Sequence, residues 1–272
     1  MGSKLFIILL IFTLNLSATQ RLISLSPSIT EILFGLEKGE QMVATSSYSL
    51  FPPEAQKLPI IGGYQNPNIE KILSYRPTLV IGQSFNKNTL EKLKKFHIKT
   101  LSLNLKTIPN IQKSILILGE ILNAKSQAIK LTTNITNAIT DAKKSKKPHS
   151  VMIVYGLKED LRSRTYIAGH NIFYEEIISA CGNSNAYIEN STSQPVLGYE
   201  NIIALNPDQI IILHSHATEP DINVTRALAS WHSLPTNASR NKKISVVDEN
   251  YLHIPSHRIA LTIKRLCTEM ND

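Results

Sequence analysis

Three histidines follow two of the apolar runs that are typical of buried strands. His214 and His216 come after the run QIIIL, and His253 comes after the run SVVD. Neutral imidazoles bind transition metals, so the three side chains could hold a metal ion or contact a ligand that carries one. In open α/β sheets, ligands gather at the carboxyl ends of the strands, where these residues fall. The pattern leaves open the alternative that they are ordinary polar loop residues.

Two glutamates occupy the same position in two copies of one sequence pattern. Glu70 lies in NIEKILSYRPTLVI and Glu200 in YENIIALNPDQIII, and in both copies a proline and then an aliphatic pair follow at the same offsets. One carboxylate in the first turn of a helix needs no function, because the helix dipole stabilises it by about 0.3–1 kcal/mol. Two at equivalent positions predict a surface that grips a partner at two points.

Two tyrosines also fall in predicted loops beside strands. Tyr48 follows the run MVATSS, and Tyr64 lies in a turn-rich segment before the first glutamate pattern. Exposed aromatic rings at a sheet edge can stack on a flat ligand. Local packing beneath the loops is the equal alternative.

The elements that must position these residues form two similar halves. Strand and helix patterns alternate from residue 21 to residue 107 and again after residue 148, which predicts mostly parallel sheets with helices on both faces. Residues 108–147 have helical periodicity with no strand pattern between, although Thr and Asn residues weaken the second part. We therefore predict an α/β protein of two lobes joined by one long backbone helix.

The first residues have the form of an export signal. MGSK is followed by the apolar run LFIILLIFTLNL and by the small residues SAT, so residues 1–18 are predicted to be cut off after Ala18. The run is too short for a membrane span of about 20 apolar residues. In an oxidising compartment the two cysteines, Cys181 and Cys267, form either a disulfide or a pair of buried thiols.

Composition and motifs argue against several classes of function. The formal net charge is +8, but the lysines are scattered and no basic stripe alternates with aromatic residues, which argues against a nucleic-acid partner. The catalytic patterns G-x-S-x-G and H-E-x-x-H and a glycine-rich phosphate loop are absent. The chain is therefore predicted not to be an enzyme, with a metal-dependent exported enzyme built on the three histidines as a remote alternative.

Several stretches together resemble the periplasmic solute-binding proteins of ABC importers, in the branch that serves vitamin B12, ferric siderophores and haem. They are the two glutamate patterns, RLISLSPSITEILF, TSSYSLFPPEAQK and ISACG. The resemblance implies a monomer with a ligand cleft between an N-terminal lobe (19–107) and a C-terminal lobe (148–272), with the connector at 108–147. Such a protein needs no resident cofactor and delivers its ligand to an inner-membrane permease with its ATPase. The implied ligand is a metal chelate: a corrinoid first, with haem, a ferric siderophore or histidine-bound nickel as alternatives.

The resemblance also assigns roles to single residues. It implies that Glu70 and Glu200 dock to arginines of the permease, and that Cys181 and Cys267 form a disulfide. Ligand contacts are implied for seven residues, two in the first lobe and five in one loop of the second: Tyr48, Tyr64, Asn250, Tyr251, Leu252, His253 and Ile254. That loop, NYLHI, lacks the acidic and basic residues that B12 binders of this family carry there.

Overall fold

The computed structural model of the chain describes residues 20–189, 193–215 and 222–271. The export signal predicted over residues 1–18 and the candidate metal ligand His216 lie outside these ranges. Within them, no helix is both long enough and apolar enough to cross a membrane.

Four short apolar runs near the start of the chain become the parallel strands of one sheet, in the order β2, β1, β3, β4. The strands are β1 (Leu22–Ser24), β2 (Met42–Thr45), β3 (Leu79–Gln83) and β4 (Lys99–Leu103). The helices around them are α1 (Pro27–Gly35), α2 (Ile69–Ser74) and α3 (Lys87–Lys95). Successive side chains of a strand point to opposite faces, so Leu22 and Ile23 enter two different apolar clusters. Both faces of this sheet are therefore covered.

The second lobe repeats this plan with a larger sheet. Its central strands β10, β9 and β5 are parallel, β6 and β8 extend the sheet in antiparallel fashion, and β7 pairs with β5. The strands are β5 (Ser150–Tyr155), β6 (Thr165–Ile167), β7 (Ser184–Asn185), β8 (Val196–Leu197), β9 (Gln209–His214) and β10 (Ile244–Asp248). The helices are α6 (Phe173–Ala180), α7 (Tyr199–Leu205), α8 (Val224–His232), α9 (Asn237–Arg240) and α10 (Ile259–Asn271). The predicted fold class, two α/β lobes with mostly parallel sheets, is confirmed.

The connector between the lobes is a pair of helices, and the prediction of one long helix is wrong at this point. α4 (Ile108–Ile121) and α5 (Lys125–Thr140) are separated by a short turn. Asn123 in that turn is left-handed, with φ 52°, and the N–H of Ala124 donates to the carbonyl of Gly119 at 2.7 Å. This hydrogen bond belongs to the Schellman ending of a helix, which asparagine can form in place of glycine. The helix therefore ends without the Gly or Pro that usually signals a break.

After the turn, α5 folds back along α4. The amide of Gln112 on α4 donates to the carbonyl of Thr132 and to the hydroxyl of Thr136 on α5, at 3.2 and 2.9 Å. Near the turn, a Cβ at Gly119 would lie only 2.4 Å from the Cβ of Ala128, so glycine is what permits the close approach. The connector is therefore a compact helical hairpin.

One apolar core runs through both lobes and the connector. Its buried residues come from the first strand and helix, from the hairpin, from the second sheet and from the last helix; examples are Leu22, Ile32, Ile115, Ala128, Ile153, Ile177 and Met270. The lobes are therefore joined over a wide packed surface, and a narrow flexible linker between them is excluded for the described residues.

A disulfide ties α10 into this core, as the resemblance implied. Cys181, just after α6, is bonded to Cys267 on α10, with Cα atoms 5.1 Å apart. Both cysteines are buried. The bond links two elements that lie 86 residues apart in the chain.

A partly buried histidine packs between the lobes next to α10. The ring of His257 lies against Gly35 at the end of α1, where a Cβ would come within 2.8 Å of Cε1. Burial, helped by the nearby charge of Arg258, lowers the pKa of His257 to about 4 from an ordinary value of 6.5. The imidazole is therefore neutral in the folded protein near pH 7.

Removing the disulfide should destabilise the fold substantially. The pair of changes Cys181→Ser and Cys267→Ser is expected to lower the free energy of unfolding by about 4 kcal/mol, because a bond across 86 residues restricts the unfolded chain. Urea unfolding at pH 7 measures the difference. The unmodified chain in a strong reductant should match the variant, and an unchanged urea midpoint in both would contradict this role.

Acid should destabilise the protein through His257. Between pH 6.5 and about 4 the unfolded chain binds a proton that the folded chain does not, so stability falls as the pH falls through this window. The shift of roughly 2.5 pH units corresponds to about 3 kcal/mol. His257→Gln should remove this loss, which urea unfolding at pH 7 and pH 4 would show as a smaller difference than in the unmodified chain.

The matched control for this measurement is His97→Gln, which removes an exposed histidine at the end of α3. Contributions from all other titrating groups are common to the compared proteins and cancel. If both variants change the pH dependence equally, the partial burial of His257 is not the cause.

Candidate functional site

Buried hydroxyl groups hold the loop that carries Tyr48 at the carboxyl edge of the first sheet. Thr45 ends β2 and shares hydrogen bonds of 2.6 and 2.9 Å with Thr30 of α1 and Ser49 of the loop. Tyr48 itself is left-handed, with φ 64°, an uncommon conformation for a residue with a Cβ. Its ring is 62% exposed. The loop is thus anchored by its buried polar side while it presents an aromatic ring outward.

A pair of aromatic residues lies beside this loop. The rings of Tyr64 and Phe85 meet edge to face with centroids 5.8 Å apart, and both side chains are exposed. Asn86, which is buried, fixes the pair: its amide donates to the carbonyl of Tyr64 at 2.7 Å and accepts from the N–H of Gln83 at 2.9 Å. Together, Tyr48, Tyr64 and Phe85 form what we call the N wall.

The contact loop of the second lobe follows β10, and we call residues 249–254 the C wall. Asn250 is exposed, while Tyr251 and His253 are partly exposed. Leu252 is fully buried in the shared core. The side chain of Leu252 therefore cannot contact a ligand as predicted; it anchors the loop, and its exposed neighbours are the candidates.

Aromatic packing supports the C wall from below. The ring of His253 lies 6.0 Å from that of Tyr155 at the end of β5, which packs edge to face on Tyr174 of α6. The hydroxyl of Tyr174 donates to the carbonyl of Leu252. Burial raises the pKa of Tyr174 well above 10, so the phenol keeps the proton that it donates. This hydrogen bond holds the middle of the loop against the second sheet.

A buried ion pair joins the two lobes behind these walls. Arg258 Nη1 lies 3.0 Å from Glu31 Oε1, and the hydroxyl of Ser256 donates to the other carboxylate oxygen. Burial raises the pKa of Glu31 to about 7, although the Ser256 hydroxyl and the Arg258 charge both oppose the rise. The sequence indicates this residue as unusual, because Glu31 is a single carboxylate inside the apolar run ITEILF.

The structure describes two of the three histidines of the predicted metal site, so that site stays a prediction. His214 is the last residue of β9, in register with Asp248, and is only 1% exposed. It therefore lies in the sheet and not in the loop after it. In the part of the chain that the structure describes, which leaves out His216, no three His, Cys, Asp or Glu side chains are placed to hold a metal ion.

The two glutamates occupy equivalent places in the two lobes. Glu70 lies in the first turn of α2, which leads into β3, and Glu200 lies in the first turn of α7, which leads into β9. Both are exposed. A helix that leads into a strand of a parallel sheet runs antiparallel to it, so its first turn lies at the carboxyl edge. Both carboxylates therefore stand on the side of the sheets that carries the two walls.

Two aromatic residues of this site were missed in the sequence. Phe85 lies three residues after the run TLVIG, close to the end of a strand, which is the kind of position that made Tyr48 a candidate. Phe51 follows Tyr48 by three residues, and its ring lies 3.7 Å from the guanidinium carbon of Arg258. A search for aromatic residues within a few positions after each predicted strand would have found both Phe85 and Phe51.

The comparisons with known proteins agree on one protein family. The model of the periplasmic binding protein family matches residues 22–251. A vitamin B12-binding protein of Pectobacterium atrosepticum is 26% identical over 269 residues, which cover 97% of this chain and 93% of the relative. The apo structure of the periplasmic haem-binding protein RhuT from Roseiflexus sp. RS-1 has a TM-score of 0.78 at 26% identity and covers 92% of this chain and 97% of its own.

A third comparison supports the fold alone. The structure of the periplasmic vitamin B12-binding protein BtuF of Vibrio cholerae has a TM-score of 0.75 at 24% identity, covering 92% of this chain and 96% of its own. Since the family model spans most of the chain and includes both sheets and the connector, the chain belongs to the periplasmic binding protein family.

Proposed function

We propose that this protein captures a corrinoid and delivers it to an ABC importer. The observation that carries the proposal is the N wall, where three exposed aromatic rings are held by buried hydroxyl and amide groups at a sheet edge. A corrin ring is broad and flat, and its faces suit stacking on aromatic side chains. The similarity to vitamin B12-binding proteins along nearly the whole chain supports the same ligand.

A haem is the second candidate. The observation that favours it is His253, whose partly exposed imidazole stands on the C wall beside the ring of Tyr155. Histidine is a common ligand of haem iron. The 26% identity with a haem-binding structure supports keeping this alternative.

The proposed cellular setting follows from the same features. We infer that residues 1–18 direct export and are removed after Ala18, and that the mature protein works in the periplasm as a monomer. It hands its ligand to a membrane permease that is coupled to an ATPase. Glu70 and Glu200, one on each lobe, are the proposed contacts with arginines of that permease.

Ligand binding is tested with the mature chain, residues 19–272. Titration with cyanocobalamin, followed by absorbance and calorimetry, should show saturable binding to one site. Tyr48→Ala and Phe85→Ala should each weaken it about tenfold, because each loses roughly 1.4 kcal/mol of stacking and burial. Phe96→Ala is the matched control, since this exposed ring stands at the end of α3 away from both walls.

The same titration with haemin separates the candidates. Haemin binding whose absorbance spectrum changes in His253→Ala, with no binding of cyanocobalamin, would assign haem instead. Failure to bind either compound would overturn the assignment of the ligand. Equal affinity in the unmodified chain, Tyr48→Ala and Phe85→Ala would show that the N wall is not the site.

Docking is tested separately from ligand capture. The double change Glu70→Arg and Glu200→Arg should lower uptake of labelled ligand by at least tenfold, because both attractive contacts become repulsive. The affinity for the ligand in solution should stay the same. The double change Glu91→Arg and Glu120→Arg, at exposed carboxylates on α3 and α4, is the control for the same change in net charge. Normal uptake by the variant with Glu70→Arg and Glu200→Arg would contradict the docking role.

A further inference from the structure

The guanidinium of Arg258 contacts the C wall and the loop that carries Tyr48 of the N wall, and it also pairs with Glu31. On the side of the first lobe it bonds to Glu31 of α1 at 3.0 Å and lies 3.7 Å from the ring centroid of Phe51. On the side of the second lobe, Nη2 donates to Oδ1 of Asn250 at 2.5 Å, and the ring centroid of Tyr251 is 5.2 Å away. One cation thus connects the loop after β2 with the loop after β10.

We propose that Arg258 is a positioning residue that holds the N wall and the C wall at the separation that the ligand requires. The proposal rests on the proposed function, in which both walls contact one ligand. Arg258 itself is only 8% exposed, and it acts through the loops that it joins rather than by touching the ligand.

The energetics of the ion pair favour a positioning role over a simple contribution to stability. The side chains of Arg258 and Glu31 are 9% and 4% exposed, so both charges have lost most of their hydration. A buried pair of this kind seldom adds net stability compared with apolar residues of similar volume, but removing one partner is costly. The planar guanidinium bonds two partners and stacks at the same time, which a lysine ammonium cannot do. The arrangement therefore fixes the position of the loop after β2 relative to the loop after β10.

Other contacts of the C wall and of the residues just after it reach the second lobe or α1. Tyr174 holds the carbonyl of Leu252 from α6, and His257 packs on Gly35. Ser256 binds Glu31 and also accepts from the N–H of Arg258, at 3.1 Å. These contacts fix the base of the loop. The link from Asn250 and Tyr251 across to Phe51 runs through the guanidinium.

The test compares Arg258→Lys and Glu31→Gln with the unmodified mature chain. Arg258→Lys keeps the positive charge but loses the two-partner hydrogen bonding and the stacking. Glu31→Gln keeps the shape but loses the anion. Arg226→Lys is the matched control, because Arg226 pairs with Glu159 inside the second lobe only. Hydrogen exchange of the backbone is measured without ligand, and the affinity for cyanocobalamin and haemin is measured in parallel.

Both variants should speed amide exchange in residues 249–256 at least tenfold and weaken ligand binding at least tenfold, with exchange in β5 and β9 unchanged. The control should change neither. Exchange at the original rate in residues 249–256 would overturn the proposal, whatever the affinity. Faster exchange throughout the second sheet would also overturn it, because the role would then be general stability. Unchanged affinity despite a loosened loop would show that the ligand does not need this positioning.

The hydrogen-exchange measurement and the binding measurement together separate failure of this inference from failure of the proposed function. If the unmodified chain binds neither compound, the ligand assignment fails. The exchange measurement then still decides the inference: a loosened 249–256 segment in both variants supports it, and an unaffected segment overturns it.

Discussion

The apolar core shared by both lobes determines where every ligand-facing loop stands. Helices α4, α5 and α10 pack into it together with the inner faces of the two sheets. Packed interiors resist gradual deformation, so the lobes cannot move apart without breaking this core. Loops held in place in this way resemble a preformed site, in which little binding energy is lost on ordering the protein.

Polar side chains fix the positions of the loops that the apolar core does not hold. Thr45 and Ser49 anchor one loop, Asn86 anchors a second and Arg258 joins loops of both lobes. Each of these groups is buried and hydrogen-bonded, as buried polar atoms must be to avoid a desolvation cost. Loops of irregular backbone thereby keep defined positions, and the left-handed conformation of Tyr48 is held in place by the bonds of its neighbour.

Much of the fold could be predicted because its signals are local. Apolar runs, the repeated glutamate pattern and the spacing of buried positions identify the strands and helices without knowledge of distant contacts. The break in the connector was missed because Asn123 ends a helix only through a left-handed conformation that asparagine adopts occasionally. The burial of Leu252 and His214 could not be predicted, because it depends on tertiary packing, which residue type and distance from a strand do not reveal.

The ion pair between Glu31 and Arg258 has a consequence for how the chain reaches this structure. The two residues are 227 positions apart, and the same core joins the first strand with α10. Contacts between such distant residues slow folding, because a long loop must close before they contribute. The pairing that joins the loops of the two lobes therefore forms only after residues from near both ends of the described chain have met.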